Sequence, residues 1–127
     1  MTGTLTRQLP SQFDAERFRR LLELAGPALA PTLLNQLAED LGSCQRKIDA
    51  GTDTLDWTLL RQASHDLIAL AGSCGAEALH AMARRLNDLA HLQETTSVAV
   101  LHHRLDAELH LLLALIKASA DDGEVPT

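Results

Sequence analysis

The sequence predicts an all-α fold, an antiparallel up-down four-helix bundle preceded by a short N-terminal helix. Hydrophobic residues make up 46 % of the 127-residue chain while aromatics make up only 2 %, and Leu and Ala dominate. That composition suits helices and is poor in the β-branched and aromatic residues that strands favour. Apolar residues also recur at spacings of three and four in successive segments, each bounded by a capping residue or a glycine. The connections between segments are short, which favours antiparallel neighbours. A chain of this length fits one domain. It is placed at 11–119, between a flexible N-terminus at 1–10 and a disordered tail at 120–127.

Each element has its own start and stop. Asp14 can N-cap a first short helix, with Phe13 and Phe18 placed as a hydrophobic staple and Leu21 and Leu22 continuing the face. This helix is expected to end near Gly26. A second begins between Ala28 and Pro31, where proline costs little in a first turn, and buries Leu33, Leu34, Leu37, Leu41, Cys44 and Ile48. Gly51 is expected to stop it. Asp53 then caps a third helix, which carries Trp57 and His65 to about Gly72, with Ser73 to Gly75 as the break. A fourth runs from about Ala76 to His91 with Leu79, Met82, Ala83, Leu86 and Ala90 inward, leaving Arg84, Arg85, Asn87 and Asp88 in water. Thr96 or Ser97 can cap the last helix, whose Val98, Leu101, Leu105, Leu109, Leu112 and Ile116 follow near-heptad spacing.

Composition also excludes function classes. A net charge of −6 and few clustered Lys or Arg argue against a nucleic-acid binder. Cys44 and Cys74 are isolated thiols rather than a disulfide framework, so a reducing compartment is expected. The N-terminus lacks an apolar signal region, and no apolar run approaches the roughly 20 residues of a membrane span, so a cytoplasmic location is expected. There is no GxxxxGK[ST] loop to cradle nucleotide phosphates.

The most informative stretch is Ser64 to Ala76, SHDLIALAGSCGA. With about 100° per residue, Leu59, Leu60, Ala63, Leu67 and Leu70 gather opposite His65. The imidazole therefore stands away from the core, among Thr58, Arg61, Gln62, Ile68, Ala69 and Gly72. This strip mixes small, polar and one bulky apolar residue, an odd composition for a solvated face. His65 is then either a nucleophile, since neutral imidazole is available near pH 7, or an ordinary exposed histidine.

These residues resemble the histidine phosphotransfer (HPt) family, whose motif runs His, any residue, apolar, Lys, Gly, with a second Gly ten residues after the His. His65, Leu67 and Gly75 fall on the pattern, and Gly72 matches a frequent small position. Ile68 stands where the family usually has Lys, and Ala69 where it usually has Gly. The DW-xx-LR-xx-xH approach formed by Asp56, Trp57, Leu60, Arg61 and His65 also resembles the family, as does the helix order from Phe13 to about Ile116. The resemblance implies a phosphoryl carrier, not an enzyme with ATP-dependent kinase activity. His65 would accept and return a phosphoryl group held as phospho-aspartate on a response-regulator receiver domain. It implies no cofactor in this chain, with Mg²⁺ only in the receiver, and a hybrid histidine kinase as a further partner of a monomer.

Thr58, Arg61, Gln62, Ile68, Ala69 and Gly72 would be the docking face, and Gly75 the motif turn. Arg61 either offers a cation in place of the missing Lys or is simply solvated. Ile68 is either apolar docking area or a plain exposed residue, and the two small residues either permit close approach or serve helix formation and helix ending. Without the Lys, an adaptor that binds a receiver or kinase without being phosphorylated is the alternative function. No metal site is expected: His80, His91, His102, His103 and His110 form no Glu-x-x-His, and His102 with Asp106 is a lone pair. Cys74 is expected inward, as a small core residue.

Overall fold

The computed structural model describes residues 8–123, in four helical elements: α1 (Ala15–Thr54), α2 (Trp57–Cys74), α3 (Glu77–Leu92) and α4 (Thr95–Asp122). Each packs on its neighbour in the chain and α4 closes on α1, while two-residue connections reverse the direction each time. The up-down bundle expected from the sequence is the fold.

The expected short N-terminal helix is the first limb of α1. Gly26 breaks the helical path (φ 82°, ψ 162°), and Pro27, which has no N–H to lose, opens the second limb. Asp14 caps the first limb by accepting from Arg17 N at 3.0 Å, and the rings of Phe13 and Phe18 lie 5.7 Å apart as the expected staple. The second limb buries Leu34, Leu37, Leu41, Cys44 and Ile48.

The ends of the middle helices differ from expectation. Gly51 does not stop α1: it is buried inside the helix, where an added Cβ would lie 2.8 Å from Leu60 Cγ. Its function is close approach of α2. The helix ends instead at Leu55, in the left-handed region (φ 55°), with Asp56 N donating to Gly51 O at 2.9 Å. Asp53 therefore sits in the last turn of α1, and Asp56 is the residue that caps α2, accepting from Leu59 N at 3.1 Å. Likewise Gly72 lies inside α2, which runs to Cys74 and is capped by Gly75 (φ 80°). At α4 a tight turn through Gln93 (φ 55°) starts the helix at Thr95 with Glu94 as N-cap, so Thr96 and Ser97 are within the first turn.

Leu60, Ala63 and Leu67 of α2 are fully buried, with Leu59 and Leu70 half-buried at the edges of that face. The rotation deduced for this helix is the one observed. On α3, Leu79, Ala83, Leu86 and Ala90 are buried while Met82 is half-buried. Asn87 is not left in water but half-buried against α2.

The domain edges also extend. Pro10 is buried, and Ser11 fastens the chain to α4 by donating its N–H and Oγ–H to the Glu108 carboxylate at 2.8 and 2.7 Å. Ala120 to Asp122, expected in the tail, continue α4 because Ser119 is buried and Ala120 packs on the core. The remainder of the expected tail, 124–127, and residues 1–7 of the expected flexible start lie outside the described residues. Among the described residues no helix is long and apolar enough to cross a membrane.

Candidate functional site

His65 projects from the middle of α2, exposed, and its ring makes no hydrogen bond to another described residue. Thr58, Gln62 and Ala69 are exposed on the same face, and Arg61, Ile68 and Gly72 are half-buried.

What the sequence could not show is how firmly this helix is held. Ser64, immediately before His65, is fully buried and donates to Arg61 O at 3.1 Å. Asn87 of α3 donates its amide to the same Arg61 O at 3.2 Å and to Ser64 Oγ at 3.1 Å. One turn past His65, the His80 ring from α3 lies against Gly72, its Nδ1 2.9 Å from Ile68 O. A carbonyl can only accept, so Nδ1 carries the proton. Arg17 of α1 donates to Gly72 O at 3.3 Å. Backbone carbonyls on both sides of His65 are thus tied to neighbouring helices, which fixes the imidazole's base on a rigid segment.

The contacts also refine the roles expected of its neighbours. Gly72 neither ends the helix nor offers an open surface, because a Cβ there would meet His80 Nδ1 at 3.1 Å. Ile68 is half-buried and packs against the core, so only part of it faces outward. Arg61 turns its guanidinium toward the start of the helix, donating to Thr58 Oγ1 at 3.1 Å. This direction follows from the backward tilt of helical side chains. Gly75 is the tightest point of the motif: an added Cβ would come within 2.5 Å of Asp14 O, and Asp14 N donates to Gly75 O at 2.7 Å. The turn that ends the His65 helix is therefore also the seat of α1.

Beside the His65 face, α1 and α2 enclose a groove of about 410 Å³ that includes Lys47 and Asp40 from α1 and Asp66 and Ala69 from α2. Asp66 and Ala69 adjoin His65 in sequence and by one turn, so Lys47 brings an ammonium group to this flank. Sequence spacing gave no sign of it, because Lys47 belongs to another helix.

The cysteines are core residues. Burial pushes the Cys74 thiol up to about 12, and burial together with the negative charge of Asp66 pushes Cys44 up to about 11. Neither is a reactive thiolate near neutrality. Among the other histidines, His91 and His110 place Nδ1 at 2.8 and 2.9 Å from the carbonyls of Asn87 and Asp106 in their own helices. His102 is not merely half of a lone pair with Asp106, because Asp49 of α1 reaches its Nε2 at 2.7 Å. These three residues are the group among the described ones that could hold a metal ion.

No protein-family model and no curated protein sequence matches the chain. Its structure is similar to the crystal structure of histidine-containing phosphotransfer protein B (HptB) from Pseudomonas aeruginosa PAO1, with a TM-score of 0.79 and 20 % sequence identity. The match covers 88 % of this chain and 96 % of that one. The four-helix fold of this chain is thus the fold of a histidine-containing phosphotransfer protein.

Proposed function

We propose that this protein is a phosphorelay intermediate of the histidine phosphotransfer family, with His65 as the phospho-accepting residue. The observation that carries the reading is an exposed imidazole without a hydrogen-bond partner among the described residues, central on a face of small and polar residues, on a helix clamped either side of it. In the transfer, a ring nitrogen's lone pair attacks phosphorus, the P–N bond forms, and the P–O bond to the donor aspartate breaks. The aspartate leaves as carboxylate, and the step reverses onto a second receiver. The receiver supplies its own acidic pocket and Mg²⁺ for the phosphoryl charge. This chain supplies the nucleophile and the docking face: Thr58, Gln62, Ala69, the outward part of Ile68, and Arg61. Lys47, across the groove, is a cation on the Asp66–Ala69 flank of His65, opposite the α3 side on which Ile68 replaces the family's Lys.

On this reading the protein is a carrier rather than a kinase, with response-regulator receivers and a hybrid histidine kinase as partners. Buried, unbridged thiols suit a reducing cytoplasm. The second reading, an adaptor that binds a receiver without accepting phosphate, is favoured by one observation, the apolar Ile68 packed at the position of the family's Lys. Incubation with a receiver domain carrying phospho-aspartate separates the two. The carrier reading expects acid-labile, base-stable phosphate on this chain and loss of it from the receiver. Complex formation without transfer would leave the adaptor.

A further inference from the structure

The α1 and α4 faces opposed near the C-terminal end of α1 hold a group of side chains that phosphotransfer does not use. His102 and Asp106 are one turn apart on α4, and Asp49 of α1 stands opposite, with His102 Nε2 at 2.7 Å from Asp49 Oδ1. One ligand atom from each of the three lies within 4.8 Å of the others. Two carboxylates thus converge on one imidazole, whose Nε2 has at most one proton to give. Asp106 has outer support as well: Gln45 Nε2 donates to its Oδ1 at 3.3 Å, and His110 Nδ1 is 3.4 Å from its Oδ2.

From this arrangement we propose that Asp49, His102 and Asp106 bind a divalent transition-metal ion of the zinc, cobalt or nickel class across the α1/α4 interface. The donor set selects the class. Imidazole nitrogen with two carboxylates suits these ions, whereas calcium needs six to eight oxygens and magnesium a near-ideal octahedron. The geometry needs only small movements. Ligand bonds of about 2.0–2.2 Å at tetrahedral angles set donor atoms roughly 3.3–3.5 Å apart, so the His102–Asp49 pair opens by less than about 1 Å to admit the ion. The side chains of Asp49 and Asp106 are 51 % and 33 % exposed, free to turn inward and reachable from solvent. Water takes the fourth position, and Gln45 and His110 orient Asp106. The site is separate from His65, since it lies between α1 and α4, and α2 and α4 are not adjacent around the bundle. It fastens α1 to α4 whatever the function of the other face.

The test is titration of the full chain with Co²⁺, read by its visible absorption, followed by displacement with Zn²⁺, for wild type and for Asp49→Asn, His102→Gln and Asp106→Asn. One ion per chain is expected, with the intense spectrum of a four-coordinate site, and affinity falling at least about tenfold in each variant. His65→Gln should bind as wild type does, and Zn²⁺ should raise the melting temperature of wild type but not of Asp106→Asn. No saturable binding by wild type, or binding undiminished in all three variants, overturns the site.

Discussion

Replacing Gly75 by alanine tests whether the motif's second glycine serves the architecture beneath His65. Gly75 sits at φ 80° as the C-cap of α2, and a residue with a Cβ in that region costs about 1–2 kcal/mol. The new Cβ would also lie 2.5 Å from Asp14 O. That oxygen is backbone, and its residue is anchored by Asp14 N donating to Gly75 O at 2.7 Å and by the bridge between Phe13 and Ala76. Relief requires displacing the start of α1, which loses that hydrogen bond at about 0.5–1.5 kcal/mol and disturbs the Asp14 cap. The expected loss is about 2–4 kcal/mol, with the melting temperature falling by roughly 3–5 °C per kcal/mol for a chain of this size. Thermal denaturation followed by circular dichroism measures it. Gly75→Asn separates the two causes, because asparagine tolerates the left-handed region but carries the same Cβ. It should be spared most of the backbone cost of about 1–2 kcal/mol and keep the loss caused by the contact with Asp14 O. An alanine variant as stable as the parent would refute the close contact, and a fully stable asparagine variant would show that backbone conformation alone requires glycine.

Leu67→Ala, at a fully buried position opposite His65, should lose about 2–5 kcal/mol in denaturant unfolding while leaving transfer per folded molecule unchanged; a parental unfolding curve contradicts the orientation of α2. Ile68→Lys should remain folded, since lysine can carry its charge outward along a half-buried stem, and should bind a receiver more weakly in a titration. Faster transfer with unchanged binding would instead make the position a lost cation. Stability should also fall at high pH: the folded state keeps protons on Cys44 and Cys74 up to about 11 and about 12, while the unfolded chain releases them from about 9.0. The unfolded state then binds fewer protons, so the loss begins near pH 9 and grows through those values; a Cys44→Ala/Cys74→Ala variant with the same alkaline profile would exclude the thiols as its cause.

The orientation of α2 was legible because helical periodicity alone sets Leu60, Ala63 and Leu67 against His65. The break at Gly26 and the staple of Phe13 on Phe18 were legible for the same reason, being local. Helix ends were not. Gly51 and Gly72 read as stops, yet each lies inside a helix because of a side chain from elsewhere, Leu60 against one and His80 against the other. Nothing in the spacing of a single segment announces such a neighbour. The same holds for the clamp of Asn87 on Ser64 and for Asp49 opposite His102, which depend on how far one helix slides along the next. The candidate nucleophile was therefore visible in the sequence, and the contacts that hold its helix were not.

The claim that His65 carries the phosphoryl group is tested most directly by exposing wild type and His65→Gln to the same phosphorylated receiver and locating the phosphate by mass spectrometry under alkaline conditions. Wild type should carry one phosphate, on His65, and the variant none, with an unchanged helical spectrum because the side chain stands clear of the core. Phosphate retained by the variant on His103 or any other histidine would contradict the account.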